Sequence, residues 1–125
     1  MSNTRSVDLA INPAMPVNRQ VPIGCIGAGF IMADCHLVAY KNNGFNPVAI
    51  TSRSREKSEA AAARHGIKKI YADYRDLISD PEIEVLDIAV PPDIQFEVIR
   101  EAVKQNSHIR GILAQKPMGN NYTHA

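Results

Sequence analysis

Three short stretches carry residue types that could do chemistry together. Gly27-Ala-Gly29 follows the apolar residues Ile23, Cys25 and Ile26 and opens a run of helix-like sequence. In that order of strand, turn and helix, backbone N–H groups and the positive end of a helix dipole face a phosphate. Gly27 would permit the tight turn, and Gly29 would admit a pyrophosphate against bare main chain. The third small residue of the usual pattern is replaced by Met32, with Ala33 next. The second stretch is Thr51-Ser-Arg53-Ser-Arg55. It stands where an acid, about 20 residues past the glycines, would hold the ribose of NAD. A carboxylate there repels a 2′-phosphate, whereas Ser52, Arg53 and Arg55 can bond one, which favours NADP over NAD. In the third stretch, Lys116 follows an apolar run and precedes Pro117. An ammonium at such a strand end could bond a substrate hydroxyl or carbonyl and support proton transfer. Gln115 beside it could bond a ribose hydroxyl.

These groups share a site only if the strands before them end at one crevice. The pattern predicts strands at Val21–Ile26, Pro47–Thr51, Lys69–Tyr71, Val85–Val90 and Ile109–Ala114. Helices are expected between them. The first runs from about Phe30 to Lys41, with Ile31, Cys35 and Val38 inward at helical spacing, and ends at Asn42-Asn43-Gly44. The second, Glu56–His65, is capped by Ser54 and closed by Gly66; the third, Tyr74–Ser79, is capped by Asp73. The fourth is capped by Asp93 and runs to about Gln105, with Ile94, Val98 and Ala102 inward. Alternating strands and helices with short connections predict an α/β fold, a doubly wound parallel sheet of strand order 3-2-1-4-5. In it the fourth-strand tip, Ala89, Val90 and Pro91, would lie across the switch point where the middle of a dinucleotide runs.

The 125 residues suit one domain, 21–125, preceded by a flexible extension, 1–20, that Pro13 and Pro16 interrupt. A net charge of +1 gives no steering toward nucleic acid or an acidic membrane face. No apolar run reaches the roughly 20 residues of a membrane span. Cys25 and Cys35 lack disulfide or metal-ligand spacing, so both are expected as reduced, buried thiols of a cytoplasmic protein. His36 is expected on the face of the first helix, bonded to a carbonyl. No pair of histidines or carboxylates has metal-ligand spacing.

Five motifs recur in order: Gly24-Cys-Ile-Gly-Ala-Gly-Phe-Ile-Met32, Thr51-Ser-Arg53, Tyr74-Arg-Asp-Leu-Ile-Ser-Asp-Pro-Glu82, Asp87-Ile-Ala-Val-Pro-Pro92 and Gln115-Lys-Pro117. Together they resemble the N-terminal, NAD(P)-binding Rossmann domain of the glucose–fructose oxidoreductase/inositol dehydrogenase/MocA family. The resemblance implies oxidation or reduction of a sugar, cyclitol or related carbonyl compound. It implies cofactor contacts at Gly27, Gly29, Phe30, Ile31, Ser52, Arg53, Arg55, Ala89, Val90, Pro91, Gln115 and Lys116. It also matches Lys116 to the family's Glu-Lys-Pro lysine, beside the nicotinamide and substrate. Gln115 stands where the family has glutamate, Pro92 where asparagine is common, and Gln95 about where a histidine is frequent.

Members of that family continue into an α+β domain that carries oligomer contacts and supplies the catalytic histidine or its equivalent. On that pattern the chain is expected to be the cofactor half of an oxidoreductase, inactive alone and meeting its small-molecule substrate and homo-oligomer partners only through that missing domain. Two rivals remain: a complete, non-catalytic dinucleotide-binding or interaction module, and a methyltransferase-like domain using the glycine turn for S-adenosylmethionine.

Overall fold

The computed structural model describes residues 14–105, 108–117 and 123. Residues 1–13 of the expected flexible extension lie outside them. Residues 14–20 are exposed and carry no regular structure. Arg19 and Gln20 nevertheless tie down, donating to the carbonyls of Asn43 (3.2 Å) and Gly44 (3.1 Å).

Five parallel strands form one sheet in the order β3-β2-β1-β4-β5. They are β1 (Pro22–Ile26), β2 (Asn46–Thr51), β3 (Lys69–Tyr71), β4 (Val85–Ile88) and β5 (Gly111–Ala114). Successive side chains point to opposite faces, and both faces are covered. Cys25 and Ile50 pack under Met32, Leu37, Ala61 and Ala62 on one side. Ile26, Ala49, Leu86 and Ile88 pack against Leu77, Ile78, Val98 and Ala102 on the other. A strand buried on both faces reads as a continuous apolar run, which is why β4 is so plain in the sequence. β4 and β5 are shorter than predicted. β4 stops at Ile88: Ala89 N makes one last ladder bond to Ile26 O (2.9 Å), and α4 then starts at Pro92.

The helices are capped as local chemistry dictates. The Ser54 hydroxyl accepts from Lys57 N at the start of α2 (Arg55–His65), and Asp73 accepts from Arg75 N at the start of α3 (Tyr74–Ser79). Gly66 closes α2 at φ 70°, a left-handed turn. In α4 (Pro92–Lys104) the expected Asp93 cap is corrected. Pro91 is the cap residue and makes no side-chain bond, Pro92 starts the helix, and Asp93 lies in its first turn. Its buried stripe includes Val98 and Ala102 as expected, together with Gln95.

The first helix departs most. Its opening segment, Ile31–His36, is π-helical, and only Leu37–Asn42 (α1) is α-helical. A π turn holds one extra residue, so the inward set shifts. Met32 and Leu37, five apart, are fully buried, while Ile31 is 38% exposed, Cys35 is exposed and Val38 is half-buried. Cys35 is thus an exposed thiol, whereas Cys25 is buried. No helix among the described residues is long and apolar enough to cross a membrane.

Candidate functional site

Parallel strands put all their carboxyl ends on one side of the sheet, and strand order 3-2-1-4-5 leaves a gap where the connections from β1 and β4 depart to opposite faces. A crevice of about 460 Å³ opens there, within the usual range for a small-molecule site. Its floor is the turn after β1. Gly27 N donates to Thr51 O (2.8 Å) and holds φ 113°, a left-handed value that disfavours any side chain. A Cβ on Gly27 would also run into the carbonyl of Ala89. Gly29 differs. A Cβ placed on it meets nothing within 4 Å, so its main chain faces open space at the start of the helix. A diphosphate needs bare backbone and a helix start, and the residues present fit one.

The crevice gathers Gly27, Gly29, Ser52, Arg53, Ala89, Val90 and Pro91. Phe30, Ile31, Arg55, Gln115 and Lys116 do not line it. Phe30 is 70% exposed just outside, and Arg55 pairs along α2 with Glu59 (3.0 Å). Ser52 is committed to its own turn: its hydroxyl donates to Ser54 O (2.7 Å) and bonds the Ser58 hydroxyl (2.7 Å). Lys116 is exposed beyond β5, on the same end of the sheet as the crevice. Two contacts position its segment. Gln115 N extends the ladder to Ile88 O (2.9 Å), and the buried Gln95 of α4 donates to Pro117 O (3.3 Å).

Sequence reasoning missed part of the wall. Lys57, Asp73, Tyr74 and Arg75 close the end of the crevice next to Arg53. Arg75 lies over the Tyr74 ring (4.6 Å to its centroid) and reaches Asp73 at 3.4 Å. Arg53 and the Lys57 ammonium have no partner among the described residues, so three cations meet one carboxylate here. The sequence signals were Asp73 as a helix cap, Tyr74 and Arg75 opening a motif, and Lys57 on the first turn of α2, where a lysine also reads as solvated surface.

A second group was not read as a cluster from the sequence. Asp87 sits in the middle of β4, fully buried, and its carboxylate accepts from His36 Nδ1 (2.8 Å) and the Tyr40 hydroxyl (2.6 Å). The carbonyl expected as the partner of His36 is therefore a carboxylate. Burial, and then the hydrogen bond to Asp87, push the Tyr40 hydroxyl well above its usual range. Burial and the Asp87 charge do the same to the Cys25 thiol.

Fold and crevice together define a dinucleotide-binding α/β domain. The chain belongs to the Gfo/Idh/MocA oxidoreductases: residues 21–125 match the model of that oxidoreductase family's NAD-binding Rossmann fold. It is 32% identical over 105 residues to levoglucosan dehydrogenase of Pseudarthrobacter phenanthrenivorans, which covers 77% of this chain and 26% of the relative. An oxidoreductase of Thermotoga maritima superposes with a TM-score of 0.77 at 25% identity, over 85% of this chain and 32% of that one. The myo-inositol dehydrogenase of Lactobacillus casei, solved with NAD(H) and myo-inositol, superposes with a TM-score of 0.75 at 25% identity, over 84% and 31%. The chain thus spans less than a third of the length of these relatives.

Proposed function

We propose that this chain forms the cofactor half of an oxidoreductase that moves a hydride between a nicotinamide and a sugar, cyclitol or related carbonyl compound, with NADP(H) preferred. The observation that carries the reading is Gly29: open main chain at a helix start, with Arg53 and Lys57, unpartnered among the described residues, at one end of the same crevice and the small apolar wall of Ala89 and Val90 at the other. The diphosphate rests on the glycine turn. The adenosine end runs toward Arg53 and Lys57, whose charges suit a 2′-phosphate, and the absence of an acid at the β2 tip removes the usual partner of the NAD ribose. Arg75 stacks on Tyr74 and widens the positive surface there.

The nicotinamide, when bound, supplies the hydride acceptor or donor. Lys116 then acts on the substrate rather than the cofactor: its ammonium bonds the reacting hydroxyl or carbonyl oxygen and supports the proton transfer that accompanies hydride movement. Gln95 and the β4–β5 ladder keep the Gln115–Pro117 segment at the crevice end of the sheet. The relatives support the substrate class: levoglucosan dehydrogenase and myo-inositol dehydrogenase are named for a sugar derivative and a cyclitol.

The test is a side-by-side calorimetric or fluorescence titration with NADPH and NADH. Binding of NADPH more tightly than NADH supports the reading. Absence of binding for both at millimolar concentration removes it, and tighter binding of NADH removes the NADP preference alone.

A further inference from the structure

Two costly features meet in the first helix and the strand it covers. Asp87 is a carboxylate with no solvent exposure, a group that burial destabilises heavily unless it is hydrogen-bonded. The segment Ile31–His36 is π-wound, a geometry that rarely persists and often accompanies function. Each explains the other. The extra residue in the π turn moves the inward positions from the expected Cys35 and Val38 to His36, Leu37 and Tyr40. Leu37 therefore fills the core, while His36 and Tyr40 reach Asp87 from successive turns (2.8 and 2.6 Å).

The location gives the network its meaning. The helix it grips starts at Gly29, whose carbonyl accepts from Ala33 N (2.8 Å). The strand it grips runs on into Ala89 and Val90, the opposite wall of the crevice. Asp87 is also in register with Cys25, two residues before Gly27. One carboxylate therefore joins both sides of the diphosphate cradle. Because a carboxylate only accepts, the His36 tautomer that bonds it carries its proton on Nδ1.

We propose that Asp87 is a positioning residue for the cofactor's diphosphate, acting through His36 and Tyr40 to hold the π-wound helix start at a fixed angle to β4. The proposal rests on the reading that a dinucleotide lies over Gly27–Gly29, and concerns how that cradle keeps its shape. It predicts that the Nδ1 donor of His36 matters for affinity, not merely the bulk of the ring.

The experiment uses the full chain with NADPH and NADH as probes, each variant titrated well below its own unfolding midpoint. His36→Asn keeps a side-chain N–H close to the place of Nδ1, His36→Leu keeps apolar bulk without a donor, and Tyr40→Phe removes the second donor alone. The expected result is a loss of affinity of about tenfold for His36→Leu and Tyr40→Phe, and affinity within about threefold of the parent for His36→Asn. Unchanged affinity in folded His36→Leu and Tyr40→Phe overturns the positioning role while leaving dinucleotide binding intact. Equal loss in His36→Asn and His36→Leu also overturns it, since the donor then does not matter. Failure of the parent chain to bind either probe overturns both this proposal and the reading beneath it. Should His36→Leu not fold, the comparison of Tyr40→Phe with the parent decides alone.

Discussion

Gly27 and Ala89 approach so closely across the crevice floor that a Cβ on the glycine would overlap the alanine carbonyl, its carbon only 2.9 Å away. Two residues further on, a Cβ on Gly29 meets nothing within 4 Å. The two glycines therefore do different work: one lets the main chain pass, the other leaves a surface bare.

That difference separates stability from binding. Gly27→Ala is expected to destabilise the fold by about 2–4 kcal/mol, through its left-handed φ and the collision with β4's continuation. Gly29→Val should unfold within about 1 kcal/mol of the parent yet lose dinucleotide binding, because the side chain fills the diphosphate's place. Denaturant unfolding and cofactor titration of both variants check the pair.

Cofactor choice should answer to charge at the β2 tip. Arg53→Ala is expected to weaken NADPH by about tenfold while moving NADH by less than about twofold, since only the former carries a 2′-phosphate. Lys57→Ala should act in the same direction. A ratio of NADPH to NADH affinity that neither change alters would contradict the placement of the 2′-phosphate.

Lys116 should be silent in binding. It is exposed and outside the crevice lining, so Lys116→Ala is expected to leave NADPH affinity within about threefold of the parent. A loss beyond tenfold in the same titration would bring its ammonium into cofactor contact.

Asp80 gives a pH signature. It is 7% exposed, and one carboxylate oxygen accepts from Lys69 Nζ (2.9 Å) and the Tyr71 hydroxyl (2.7 Å), the other from Glu82 N (3.0 Å). Burial pushes its carboxyl up, but these hydrogen bonds outweigh that and hold it below its usual value. A depressed carboxyl stabilises the fold fully above the unfolded-state pKa of about 3.9 and loses that contribution as pH falls through the lower folded value. Asp80→Asn should therefore cost about 1–2 kcal/mol at neutral pH and flatten the acid limb of stability below pH ~4. Urea midpoints from pH 7 to pH 2 read both effects.

Much of the architecture was written locally. Ser54, Asp73 and Gly66 end their helices through bonds to residues two to four positions away, so spacing alone located them. The apolar runs of β1 and β4 require a sheet covered on both faces, and the alternation of strands and helices with short connections carried the strand order. The glycine turn and the cationic tip of β2 were legible for the same reason: a phosphate contact needs only a few adjacent residues.

Tertiary structure decided what separates distant positions. Asp87 entered the sequence reading only as the first residue of a motif within an apolar strand, and the fold set it against His36 and Tyr40, 51 and 47 residues earlier. A heptad-like pattern predicts an α-helix with Ile31 and Cys35 inside, and no local signal announces the extra residue in the π turn. In the fold that turn sets His36 and Tyr40 as donors to a buried carboxylate on another element. Likewise Lys57 and Arg75 join Arg53 only because α2 and α3 start side by side at the crevice. Sequence determined the frame, since periodicity and capping are short-range; the environment of each charge was left to packing, which is not.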